Sequence, residues 1–133
     1  MSDRVERAEI AVMFLRAEDE PERIQRAWER LETLVELRGR KFFGAFDVST
    51  HEYRACVQLR AGDDPAALGL ESGALPGGRY LRTRLRGEPP EVYERIAPTF
   101  AALAEAARPD ETRPSIEFYR RRDEIDLLLP VAG

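Results

Sequence analysis

The stretch Asp19-Glu20-Pro21-Glu22-Arg23-Ile24 sets the reading of the chain, because its outline returns as Pro89-Pro90-Glu91-Val92. Each reads as a helix start: proline suits a first turn, where its missing amide costs nothing, and acid suits the positive end of the helix dipole. After the first, Ile24, Ala27, Trp28, Leu31, Leu34 and Val35 recur at helical spacing among arginines and glutamates. That spacing predicts an amphipathic helix, with an N-cap acid, stopped near Gly39. After the second, Val92, Ile96, Phe100, Leu103 and Ala107 mark one side of another helix. Pro98 within it predicts a kink or a division, since it removes an amide donor and crowds the carbonyl of Glu94.

Around each helix the same neighbours recur. Residues 8–16 are short and apolar, suited to a strand buried on both faces, and residues 79–86 alternate as a strand after the Pro76-Gly77-Gly78 turn. Residues 41–48 and 52–60, split by Ser49-Thr50-His51, predict a hairpin, as do residues 115–120 and 124–131. Residues 61–65 and 110–114 read as loops, and residues 66–75 carry no clear period. Strand–helix–strand–strand therefore runs twice. Pro21-Glu22, Leu31 and Leu34 align with Pro90-Glu91, Phe100 and Leu103 at a spacing of 69, and Phe46 and Glu52 with Phe118 and Glu124 at 72. A loop three residues longer in the second half accounts for the difference. The expected fold is α+β, a single domain over residues 1–133 with pseudo-repeats about 8–60 and 66–133. Its antiparallel sheet would carry two helices on one face and leave the other to water or a ligand cleft.

Composition narrows the function. With 133 residues the chain has room for one domain, and 21 Lys plus Arg against 25 Asp plus Glu give a net charge of −4. That balance offers no general attraction to nucleic acid or anionic membranes. The one cysteine, Cys56, excludes an intrachain disulfide, and with the one histidine, His51, it cannot make a zinc site of Cys and His alone. His51 is also the one histidine that could ligate a haem, so neither metal nor cofactor is expected. The apolar runs 10–15 and 127–132 fall far short of the ~20 residues of a membrane span, and residues 1–7 lack a signal peptide's apolar stretch. A cytoplasmic domain is expected.

The C-terminal half carries a resemblance. Leu75-Pro76-Gly77-Gly78-Arg79-Tyr80, then Gly87, a helix, Ile116-Glu117-Phe118-Tyr119, and Glu124-Ile125-Asp126-Leu127-Leu128-Leu129-Pro130-Val131 together resemble the GyrI-like family. That family includes the effector-binding domains of AraC-type and MerR-type bacterial transcription regulators. The C-terminal ~60 residues hold nearly all of these motifs, while the N-terminal half agrees in element order. The resemblance implies a duplicated strand–helix–strand–strand fold with a pocket between its modules, for a small hydrophobic, often cationic molecule. The Glu of the Glu-x-Tyr motif, here Glu117, would sit at the pocket floor. No helix-turn-helix precedes the domain, so a free-standing member is expected. Some members inhibit gyrase, and others hydrolyse cyclopropane-bearing DNA-alkylating natural products.

Alternation in Ser115-Ile116-Glu117-Phe118-Tyr119 puts Ile116 and Phe118 on one sheet face, and Ser115, Glu117 and Tyr119 on the other. The apolar pair belongs under the helices, so Glu117 is expected to point to the open face beside Tyr119. There a carboxylate would attract a ligand cation, aromatic faces adding ~0.5–2 kcal/mol, or with a raised pKa it would activate water. An exposed strand glutamate paired with an arginine is the plainer alternative. Tyr119 and Tyr80 are expected walls of such a pocket. Tyr53 and Phe43 are either walls or core, and Trp28 either core or pocket rim. Arg82, with Arg84 and Arg86, shares the face of Tyr80; salt bridges would make these arginines a solvated strand, and a place in the cleft would suit an anionic ligand instead. The leading expectation is sequestration or sensing of a small hydrophobic or aromatic ligand, without direct nucleic-acid or membrane binding. A hydrolase using Glu117 and Tyr119 is the second, and a module that binds a protein such as a topoisomerase the third. The residues leave open whether the site turns over its ligand.

Overall fold

The computed structural model describes residues 2–132. In chain order the elements are β1 (Asp3–Arg7), β2 (Ile10–Glu18), α1 (Pro21–Leu34), β3 (Phe42–Asp47), β4 (Glu52–Gln58), α2 (Pro65–Leu68), β5 (Glu71–Leu75), β6 (Gly78–Arg86), α3 (Glu91–Glu94), α4 (Ile96–Ala106), β7 (Ser115–Arg121) and β8 (Glu124–Pro130). All eight strands join one antiparallel sheet in the order β1-β6-β8-β7-β3-β4-β2-β5. The α+β class, the antiparallel sheet and helices gathered on one face are as expected. No helix among the described residues is long and apolar enough to cross a membrane.

The helices agree with expectation in part. The N-cap of α1 is an acid, Glu20, as expected, although its side chain makes no capping hydrogen bond, and Pro21 follows in the first turn. The helix stops at Leu34 because the β-branched Val35 is already extended, although its amide still reaches the Leu31 carbonyl. Pro98 does divide the second helix, and the break falls at Arg95. Pro98 then stands in the first turn of α4, where its missing donor leaves no hydrogen bond unmade.

Two strands escaped the sequence reading, and both are edges. β1 is charged at four of its five positions, and β5, Glu71-Ser72-Gly73-Ala74-Leu75, lacks alternation. They curl the sheet. The β5–β6 connection meets the β1–β2 connection so closely that a Cβ on Gly77 would lie 2.9 Å from the Arg7 carbonyl and 2.8 Å from the Glu9 amide. The inside of this half-barrel carries its own core: Val12, Phe14, Phe43, Tyr80, Ile116 and Leu128 are buried there, with Phe118 against them. The other face is covered by helices. Ala27 and Leu31 of α1 pack with Met13, Tyr53, Ala55 and Val57, while Val92 and Leu103 of α3 and α4 pack with Leu81, Leu85, Ile125 and Leu127.

Both faces are thus apolar and buried, and this reverses the expected direction of Glu117. In register, Gly44 pairs with Ala55 and Glu117, and Glu117 with Leu127, so these residues share the helix-covered face. Ile116 and Phe118, assigned in sequence to the helix side, belong instead to the inner core. Phe46 and Phe118, aligned in sequence, lie on opposite faces.

Candidate functional site

α1 packs on β2 and β4, and α4 on β8 and β6. The two helical layers therefore stand apart over the central strands β3 and β7. Glu117 rises from β7 into that gap and is partly buried. Its Oε1 accepts from Tyr53 Oη at 2.8 Å and from Tyr119 Oη at 2.5 Å, and Trp28 Nε1 donates to Tyr53 Oη at 3.1 Å. Among the described residues, no Lys, Arg or His lies within ion-pair distance of the Glu117 carboxyl.

Gly44 makes this junction sterically allowed. A Cβ at that position would overlap both Tyr53 Oη and Glu117 Oε1. A glycine inside a strand commonly marks such a close approach. Above the junction, the Trp28 ring stands edge-on to Tyr119 at 5.4 Å between centroids and tilted to Phe42 at 6.2 Å. From the other side Tyr93 of α3, an exposed residue, meets Tyr119 at 6.4 Å. A carboxyl at the bottom, two phenols beside it and aromatic rings from both helical layers make up the candidate cleft in the gap between those layers.

Burial pushes the Glu117 carboxyl above the usual carboxylate range, against the two phenol hydrogen bonds that favour its charged form. Burial also drives Tyr53 and Tyr119 well above the ordinary tyrosine value, and the nearby Glu117 charge adds to it, so both remain hydroxyl donors. The arrangement can take up a cation, whose charge would compensate an ionised Glu117. It also places a weakly acidic carboxyl beside two donors, which is a general base with hydrogen-bonding partners.

Of the residues singled out in the sequence, Glu117, Tyr119, Tyr53 and Trp28 come together here. Tyr80, Phe43 and Arg82 do not. Tyr80 is wholly buried in the inner core, donates to the Pro76 carbonyl at 2.5 Å and carries the Arg113 guanidinium over its ring. Phe43 stacks on Phe118 at 4.8 Å, also inside. Arg82 pairs with Asp3 at 2.7 Å on the edge strand, and Arg84 with Asp126 at 2.7 Å. The arginines therefore do not enter the cleft, and the anionic-ligand reading of that strand loses its footing. Cys56 is buried, with its thiol pushed up to about 12, which makes it inert as a nucleophile. His51 is exposed in the β3–β4 turn. Gly44 and Tyr93 are cleft residues that the sequence reading missed. A glycine interrupting an apolar strand was a usable signal for the first, whereas Tyr93 lies off the apolar stripe and gave none.

No family model matches the sequence, and no curated protein matches it. Solved structures share the fold. An integron cassette protein from the mobile metagenome of Vibrio cholerae, VCH_CASS2, is 17% identical with a TM-score of 0.77, over 98% of this chain and 95% of that one. SAV2435, solved bound to tetraphenylphosphonium, is 13% identical with a TM-score of 0.67, over 100% of this chain and 94% of that one. A hydrolase from Listeria innocua is 12% identical with a TM-score of 0.63, over 98% and 91% of the two chains.

Proposed function

We propose that this chain is a GyrI-like small-molecule-binding domain that takes hydrophobic cations into the cleft between α1 and α3–α4, to sequester or sense them. The observation that carries the reading is Glu117: a buried carboxyl without a protein cation, held by Tyr53 and Tyr119 and overhung by Trp28 and Tyr93. Burying a carboxylate without a counter-charge costs several kcal/mol, and a ligand cation offsets that cost where it binds. Aromatic faces add ~0.5–2 kcal/mol and select against small hydrated ions. The ligand in the SAV2435 structure, tetraphenylphosphonium, is of this chemical kind.

The test is a tetraphenylphosphonium titration followed by tryptophan emission. Trp28 is the one tryptophan of the sequence and touches the cleft, so it reports directly. Saturable quenching is expected in the wild type and not in Glu117→Gln. Equal affinity in both proteins would refute the reading.

Hydrolysis is a second reading, favoured by the short Tyr119–Glu117–Tyr53 bonding around a carboxyl of raised pKa. Glu117 would take a proton from water as it attacks an activated cyclopropane. The ring carbon–carbon bond breaks, and its electron pair passes to the conjugated carbonyl oxygen, which a tyrosine hydroxyl stabilises. Incubation with a cyclopropane-bearing alkylator should then yield a ring-opened product, lost in Glu117→Gln.

A further inference from the structure

The side of α1 turned away from Glu117 has the opposite electrostatic character. Arg23, Arg26 and Arg30, spaced three and four residues apart, follow that flank, and together with β2 and the β3–β4 turn they enclose a cavity of about 520 Å³. Its floor is apolar: Leu15 and Ala17 of β2 and Ala27 of the helix. It opens at the sheet edge, because β5 pairs with β2 only up to Phe14, opposite Glu71, and leaves residues 15–18 uncovered on that side.

Of the four arginines that line the cavity, Arg16 is held by Glu52 and Glu71, whereas the three on the helix are not closely paired. Arg26 and Arg30 have no carboxylate within 4 Å among the described residues, and Arg23 stands 3.8 Å from Glu20, beyond hydrogen-bond reach. Of the two acids that line the cavity, Glu52 is held by Arg16 at 2.9 Å and Arg54 at 3.0 Å. Glu18 alone faces three arginines. Other arginines also lack a carboxylate within 4 Å among the described residues, Arg4 and Arg79 among them; what sets Arg26 and Arg30 apart is that both line one cavity with an apolar floor.

We propose that the cavity is a second binding site, for an organic anion with an apolar body. The apolar floor takes the body, and Arg26 and Arg30, with Arg23 at the helix start, take the carboxylate, sulfonate or phosphate by forked hydrogen bonds. The volume falls within the ~300–1,000 Å³ of small-molecule sites. One helix then separates two sites of opposite preference: Trp28 looks into the cation cleft, and the residue before it, Ala27, floors the anion cavity.

Tetraphenylborate and tetraphenylphosphonium carry the same four phenyl groups with opposite charge, so the pair isolates the electrostatics. Isothermal titration of both into the wild type, Arg26→Gln/Arg30→Gln and Glu117→Gln separates the sites. Tetraphenylborate is expected to bind the wild type saturably and Glu117→Gln equally, and to lose about tenfold or more in the double arginine variant. Raised salt should weaken it. Tetraphenylborate offers no oxygen to a guanidinium fork, so Arg26→Lys/Arg30→Lys, which keeps the charge, should bind it nearly as the wild type does; 1-naphthalenesulfonate, whose oxygens the fork can grip, should bind the wild type and weaken in this variant. Both arginines are exposed, and a thermal melt confirms that each variant is folded. Undiminished binding of either anion in Arg26→Gln/Arg30→Gln, loss of it in Glu117→Gln, or no saturable binding of 1-naphthalenesulfonate to the wild type would each overturn the proposal. The phosphonium arm bears on the cleft alone, so the two readings fail separately.

Discussion

Glu117 and Asp126 are both inward-set carboxylates on neighbouring strands, one on each face of the sheet, and the protein treats them differently. Asp126 is 0% exposed, yet Arg84 grips it with Nε at 2.7 Å and Nη2 at 3.2 Å, and Arg120 adds a contact at 3.6 Å. Glu117 receives two phenol hydroxyls on one oxygen and no cation. Hydrogen bonds from neutral donors soften the cost of burial without cancelling the charge. The fold neutralises the buried Asp126 from within; under the proposed function, the uncompensated Glu117 is where a ligand cation supplies the charge.

That contrast can be broken at each end. The largest effect is expected at the paired acid: Asp126→Ala leaves a buried hole and takes from Arg84 its short hydrogen bonds, with only the longer contact to Glu124 at 3.5 Å remaining, and should destabilise the protein by about 3 kcal/mol in urea unfolding, with cation binding by the folded fraction unchanged. Gly44→Ala comes next. Its Cβ must push Tyr53 and Glu117 apart, at a cost of about 2 kcal/mol, and tetraphenylphosphonium binding should fall with it.

Glu117→Gln should have the opposite sign on stability. Because the folded-state pKa of Glu117 is raised, its contribution to stability is fully present below the unfolded value near 4.3 and is lost as pH rises through the folded value. The ligand-free variant should therefore match the wild type in acid and become the more stable of the two at neutral pH, seen as a Tm difference that grows with pH. The smallest effect belongs to Trp28→Phe, which keeps a ring and removes the donor to Tyr53; it should cost about 1 kcal/mol and a few-fold in cation affinity.

Much of the fold was legible in the sequence, and the misreading of its faces has a traceable cause. The two prolines with following acids located α1 and the divided second helix, and period-two alternation located both hairpins. Alternation also separated Ile116 and Phe118 from Glu117 and Tyr119 correctly, yet it could not say which pair meets the helices. That decision lies with β1 and β5, whose charged or glycine-broken sequences give no strand signal. By curling the sheet they bury the face presumed open, and an apolar pair fits there as well as under a helix. Tyr80, Phe43 and Arg82 were displaced from the site by the same error. Tyr53, Tyr119 and Trp28 were named without it, because hydroxyl and indole donors near an acid suit a cleft on either face.

The pH dependence of tetraphenylphosphonium affinity, measured side by side in the wild type and Glu117→Gln, tests the central claim most directly. A carboxyl that must ionise to hold the cation predicts wild-type affinity that climbs as pH rises past the ordinary carboxylate range and then levels, while Glu117→Gln stays weak and flat. Parallel curves of equal affinity in the two proteins would contradict it.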